Sequence, residues 1–150
     1  MKYVHTNIIA KDWKKLAQFY IKVFGCTKVL PERNLKGKWI ETVTGIDGVH
    51  IEGGHLRLPG YGGEGPTLEI FQYNQYEAVQ FQKINRQGLA HIAFAVDDVS
   101  ESLKAVLAEG GGKLSDIIRA SIPGVGNITI VYAKDPEDNF IELQKFDREI

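Results

Sequence analysis

The chain has 150 residues, 43% of them apolar, with 18 Lys and Arg against 19 Asp and Glu. A formal charge of −1 gives no global pull toward nucleic acid or an anionic membrane. No apolar run approaches the roughly 18 residues of a membrane span, and the single Cys26 cannot close an internal disulfide. Residues 1–7 lack the long apolar stretch of a signal peptide, so the composition predicts a globular, cytoplasmic protein that binds neither nucleic acid nor membrane.

Residues 4–10 read as a strand. A helix follows, with Trp13, Leu16, Ala17, Tyr20, Val23 and Phe24 on one stripe, Asp12 as N-cap and Gly25 as C-terminal stop. Strands are expected over about 26–30, 49–58 and 67–73. Cys26 reads as a small buried hydrophobe. Between the first two of these strands, residues 34–45 are longer than a hairpin needs. They form either a binding loop in which Trp39 closes over an apolar substrate or a short helix packed on the sheet. His50, Glu52 and His55 suggest a second metal site, but positions 50 and 55 of a continuous strand point to opposite faces. His55 and Arg57 share a face, and Arg57 is a candidate anchor for a substrate carboxylate or phosphate, or a solvated surface cation.

A polar stretch at 83–88 separates the halves. The second half opens with a strand over 90–96. Its helix carries Val99, Leu103, Val106 and Leu107, is capped by Asp98 with Glu101 in the capping-box position, and ends at Gly110-Gly111-Gly112. Strands follow at about 114–121, 127–133 and 140–146, the last two joined by the turn Asp135-Pro136-Glu137-Asp138-Asn139.

The order is β-α-β-β-β, twice. His5 and His91 open the two first strands, and an Asp lies seven positions after each. Each half ends on a strand with a glutamate between apolar neighbours: Leu68-Glu69-Ile70 and Ile141-Glu142-Leu143. Each half is too small to bury its sheet alone. The expectation is one α+β domain over 1–150, made of two tandem βαβββ modules (about 1–82 and 89–150). They would form a curved mixed sheet around a central cavity, with the helices outside. Strand alternation puts His5, Asn7 and Ile9 on one face, and His91, Ala93 and Ala95 on one face, with the apolar alternates under the helices. If the modules pair about a pseudo-twofold axis, His5, Glu69, His91 and Glu142 converge as four ligands for a divalent metal.

These residues carry a resemblance over essentially the whole chain. His5-Thr6 followed by Leu16, Phe19-Tyr20 and Val23-Phe24-Gly25, then Leu68-Glu69-Ile70, Gly88-Leu89-Ala90-His91-Ile92-Ala93-Phe94-Ala95-Val96-Asp97-Asp98 and Tyr132-Ala133-Lys134-Asp135-Pro136-Glu137-Asp138-Asn139-Phe140-Ile141-Glu142-Leu143 resemble the vicinal oxygen chelate superfamily. That superfamily includes glyoxalase I, methylmalonyl-CoA epimerase, extradiol dioxygenases and the fosfomycin- and bleomycin-resistance proteins. The resemblance implies paired βαβββ modules, a homodimer and a metal held by His5, Glu69, His91 and Glu142. Three departures narrow it. Asp138 stands where the family's turn usually has Gly. Ile9 stands where bacterial glyoxalases carry an Arg for glutathione. Glu69 stands where the epimerase usually has Gln.

The resulting expectation is a metal-dependent lyase or isomerase of the glyoxalase or epimerase type, acting on a small oxygenated substrate. The metal is Ni, Co, Zn, Mn or Fe, and Glu142, with Glu69 as alternative, is the catalytic base. The alternatives are a non-haem iron dioxygenase using His5, His91 and Glu142, and a ligand-sequestering protein like the bleomycin-resistance proteins.

Overall fold

A computed structural model describes residues 1–78 and 83–147. They fall into two compact units, the first ending at Ala78. The boundary expected for the first module, residue 82, lies outside the described residues.

The first unit runs β1 (His5–Ile9), α1 (Trp13–Phe24), β2 (Thr27–Lys36), α2 (Lys38–Thr44), β3 (His50–Arg57) and β4 (Thr67–Tyr73). A 3-10 turn at Gly62–Glu64 lies between the last two strands. The sheet order is β1-β4-β3-β2; β1 is parallel to β4 and the other pairs are antiparallel. The first helix forms for the reasons its sequence offers. The Asp12 carboxylate accepts from the Lys15 N–H, and Gly25 closes the helix at φ 68°. Leu16, Ala17, Phe19 and Tyr20 are buried, and the helix packs on β3 and β4. The face it covers carries Leu56, Leu68 and Ile70, which are almost wholly removed from water. Cys26 is buried, and that burial pushes its thiol pKa up to about 11.

Strand β2 continues six residues past its expected end at Leu30. Pro31 broke the strand pattern in the sequence. It is tolerated because β2 is the sheet edge, and a register shift between Val29 and Arg33 falls across it. The chain then turns at Gly37 (φ 94°) into α2. Within 34–45, Lys38–Thr44 form a short helix that follows the last residues of β2. Ile40 packs into a cluster with Val49, Ile51 and Phe71, whereas Trp39 is 57% exposed.

The second unit runs β5 (His91–Ala95), α3 (Val99–Ala108), β6 (Gly112–Lys113), β7 (Ile118–Ile122), β8 (Gly126–Lys134) and β9 (Phe140–Asp147). Its sheet order is β5-β9-β8-β6, with β7 also pairing to β8. Of the strand expected over 114–121, only 118–121 is strand, within β7; residues 114–117 are not, and the short β6 precedes them along β8. The Asp98 carboxylate caps α3 through the Glu101 N–H. Residues 135–139 turn the β8–β9 hairpin. The buried Asp135 carboxylate accepts from the backbone N–H groups of Glu137 and Asn139 and from the Asn139 amide, and Asp138 takes φ 68°. Asp tolerates the left-handed conformation that the family's Gly occupies. The architecture is α+β with two mixed sheets, one per unit. Among the described residues no helix is long and apolar enough to cross a membrane.

Candidate metal site

Register decides which side chains meet. Strand β4 lies between β1 and β3. Asn7 stands beside Glu69 across the parallel pair, and His55 stands opposite Glu69 across the antiparallel pair. Thr67 is flanked in the same way by His5 and Arg57. All six side chains therefore belong to the face opposite α1.

On that face Glu69 is the hub, only 9% exposed. Its Oε1 lies 2.9 Å from His55 Nε2. Its Oε2 accepts from Asn7 Nδ2 at 2.8 Å and lies 3.5 Å from His5 Nε2. The other nitrogen of His55, Nδ1, is 2.9 Å from Thr67 Oγ1. The rings of His5 and His55 meet edge to face at 5.5 Å. Burial lowers the His55 pKa, as do the charges of Arg33 and His5, while Glu69 opposes them. Burial and the Glu69 charge raise that of Tyr73.

One donor atom from each of His5, His55 and Glu69 falls within 4.8 Å of the others, a group that could hold a metal ion. Donors around a tetrahedral ion at roughly 2.1 Å lie about 3.4 Å apart. The contacts about Glu69 are 2.9 Å to His55 from Oε1 and 3.5 Å to His5 from Oε2, so each imidazole meets a different oxygen. Two imidazoles and a carboxylate are a donor set suited to the borderline divalent ions rather than to Ca²⁺ or Mg²⁺.

The second unit repeats the plan with different partners. Glu142 on β9 stands beside Ala93 of β5 and opposite Tyr132 of β8. His91 Nε2 is 3.3 Å from Glu142 Oε2, and the His91 and Tyr132 rings meet at 5.2 Å. Burial raises the Tyr132 pKa, and its hydrogen bond to Glu142 adds to the shift.

Each expected ligand pair, His5 with Glu69 and His91 with Glu142, is thus in contact within its own unit. His50 is elsewhere. Its Nε2 lies 2.9 Å from Asn34 Oδ1, and the unbroken β3–β4 register keeps it on the face opposite His55. The Arg57 guanidinium donates to the Gly63 carbonyl. Sequence reasoning put His55 on a strand face with Arg57 but did not connect it to Glu69. The signal was the β3–β4 register, hidden by the long connection between them.

The two units follow one plan, a strand and a helix followed by further strands, each with a first-strand histidine against a last-strand glutamate, and so define a fold built by internal repetition. The model of the Glyoxalase/Bleomycin resistance protein/Dioxygenase superfamily matches residues 2–143, and the chain belongs to that superfamily. Solved structures share its fold. A glyoxalase family protein from Bacillus cereus has a TM-score of 0.79 at 16% identity, covering 97% of this chain and 93% of that one. A glyoxalase family protein from Enterococcus faecalis has 0.63 at 21% identity, with 95% and 96% covered. A genomically encoded fosfomycin resistance protein from Listeria monocytogenes has 0.57 at 17% identity, with 100% and 93% covered. No curated protein sequence matches the chain significantly.

Proposed function

We propose that the protein is a metal-dependent lyase or isomerase of the glyoxalase or epimerase type. It would act on a small substrate with vicinal oxygens and an acidic C–H bond, as one domain with His5, Glu69, His91 and Glu142 as the metal set. The observation that carries this reading is the His–Glu pair presented at the same register position of each unit. A bound divalent ion supplies a Lewis acid that draws charge from the substrate oxygens. The chain's own residues do the rest. Asn7 fixes one oxygen of Glu69. Tyr132 orients Glu142, which takes the proton from the carbon beside the carbonyl and returns it. Arg57 would bind an anionic group of the substrate by exchanging its Gly63 partner, and the exposed Trp39 would cover an apolar part. We read the protein as a cytoplasmic homodimer, which sedimentation of the purified chain tests.

The reading is tested by proton–deuterium exchange on 2-oxo acids and acyl thioesters in heavy water, with and without chelator. Chelator-sensitive exchange on at least one class supports it, and none across the panel removes it. The two-imidazole, one-carboxylate group of the first unit favours a second reading, a non-haem iron dioxygenase. Oxygen uptake with catechols after anaerobic Fe²⁺ loading would replace the first reading with this one.

A further inference from the structure

We infer that Arg33 and Arg57 are two anion anchors set on either side of His55, and that the molecule this face takes is a small dianion, with two carboxylate or phosphate groups joined by a short carbon chain. The inference deepens the proposed function, resting on it for the reaction but not for the binding.

Register fixes where the two arginines stand. Arg33 of β2 pairs with Gly53 of β3, two positions before His55, and Arg57 lies two positions after it. Directly opposite residues of an antiparallel pair, and residues two apart on one strand, share a face. Both arginines therefore belong to the face that carries Glu69. The shift at Pro31 preserves this, because it sets four positions of β2, Val29 to Arg33, against two of β3, His55 to Gly53. Both counts are even. The Arg33 charge also reaches His55, where it helps to lower the imidazole pKa.

Both arginines are half-buried. Partial burial of a charge favours a partner that neutralises it, yet among the described residues no carboxylate pairs with either one. Arg33 Nη1 donates to the Pro31 carbonyl at 2.7 Å, and the Arg57 guanidinium donates to the Gly63 carbonyl. A guanidinium has five N–H donors in a planar fork, so each keeps donors for an oxyanion, which it binds more strongly than a neutral carbonyl. Glu69 is already engaged, with His55 on one oxygen and Asn7 and His5 on the other. On the strands of this face, two guanidinium groups stand against that one carboxylate, so the face attracts anions.

The spacing selects a dianion. Gly53 and Arg57 are four strand positions apart, roughly 13 Å, too far for one small oxyanion to sit against both backbones. Two long side chains reaching inward suit two oxyanions with a few carbons between them. Between the arginines the face carries Val29 and His55, directly opposite each other. Val29 offers an apolar floor for the linking carbons, and the middle of that chain then lies over His55, beside Glu69.

The experiment uses the full chain and unreactive probes. Succinate, glutarate and adipate are titrated, with butyrate and inorganic phosphate as single anions, while arginine side-chain Nε–H signals are followed by NMR. Arg33→Gln and Arg57→Gln assign the two signals. The wild type should bind its best dicarboxylate about tenfold or more tighter than either single anion, as a second charged hydrogen-bonded group allows. Both signals should shift together, and added salt should weaken the binding. Each Gln variant should lose the advantage and bind dicarboxylates no better than butyrate. Arg33→Lys, which keeps the charge but not the fork, should recover part of it. The wild-type signals provide a readout that does not depend on the folding of a variant. Equal affinity for dicarboxylates and single anions, an Arg33 signal that no dicarboxylate moves, or unchanged binding in Arg33→Gln overturns the inference. Deuterium exchange on 2-oxo diacids and 2-oxo monoacids separates it from the reaction. Dianion binding with no chelator-sensitive exchange on any substrate removes the lyase or isomerase and leaves the two anchors standing. Exchange confined to monoacids overturns the anchors and leaves the reaction.

Discussion

His55 and Tyr132 occupy corresponding places in the two units. Each stands directly opposite the buried-strand glutamate of its sheet, His55 across from Glu69 and Tyr132 across from Glu142. The repeat preserves the first-strand histidines and the last-strand glutamates but diverges at this third position. One carboxylate therefore faces a second imidazole, while the other accepts from a phenol. In the proposed reading this asymmetry leaves Glu142, the proposed base, beside a phenol, while Glu69 has two imidazole neighbours.

Tyr132→Phe tests the Glu142 side of that asymmetry. Tyr132 stands opposite Glu142, whose hydrogen bond and charge, after burial, raise the phenol's pKa. Removing the hydroxyl should slow metal-dependent deuterium exchange on the order of tenfold and leave the metal content unchanged. Unaltered exchange would show that Tyr132 does not position the base.

The two glutamates should respond differently to loss of charge. An amide oxygen can ligate an ion but cannot accept a proton as a base. Glu142→Gln should therefore abolish exchange while retaining metal. Glu69→Gln should keep measurable exchange with weaker metal binding. The replacement amide has one oxygen to serve the three partners that Glu69 serves with two, His55 on Oε1 and Asn7 and His5 on Oε2. Full activity in both variants would remove proton transfer by glutamate from the mechanism.

Much of this arrangement was legible in the sequence, for reasons that differ by element. Period-two alternation placed His5, Asn7, His91 and Ala93 on their faces, because a helix covers the apolar alternates and only one register buries them. Asp12, Asp98 and Asp138 were readable because caps and left-handed turns are local chemistry. Strand β2 was cut short at Pro31, whose missing N–H matters only inside a sheet, and the edge position of β2 is a tertiary fact. The α2 segment has seven residues, too few for a periodic pattern. The His55–Glu69 contact depends on pairing Arg57 with Thr67 across the connection between β3 and β4. Only short hairpin turns fix such a register from sequence.

Gly53 is where the β3–β4 pairing is most sensitive. It stands opposite Phe71, two positions from His55 on the same face. A Cβ there would run into the Ile70 carbonyl oxygen and lie 2.6 Å from Phe71 Cδ1. The backbone cannot withdraw without breaking the ladder that carries Glu69. Gly53→Ala should destabilise the chain by about 1–3 kcal/mol, as overpacking does, and lower its affinity for Co²⁺. Urea denaturation and the Co²⁺ titration measure the two effects. A variant of wild-type stability would mean that the strands separate more easily than this register allows.

The caps at the two helices allow a pH-resolved test of the repeat. Asp12 accepts from the Lys15 N–H and Asp98 from the Glu101 N–H, at 3.0 Å in both cases. Asp12→Ala should cost about 1 kcal/mol, the usual worth of such a cap. For Asp98, the Glu101 N–H above all, followed by the Ser100 N–H and the charges of Lys145 and Lys104, lowers the carboxyl pKa. A carboxyl whose pKa is lower in the folded chain than in the unfolded chain stabilises the fold at all pH values above its unfolded pKa, about 3.9. That stabilisation disappears as the pH falls through the folded value. Asp98→Ala should therefore have a lower urea midpoint than the wild type at pH 7, and the difference should close as the solution is taken well below pH 4. A gap that persists unchanged into acid would show that packing around Asp98, rather than its ionised carboxylate, stabilises α3.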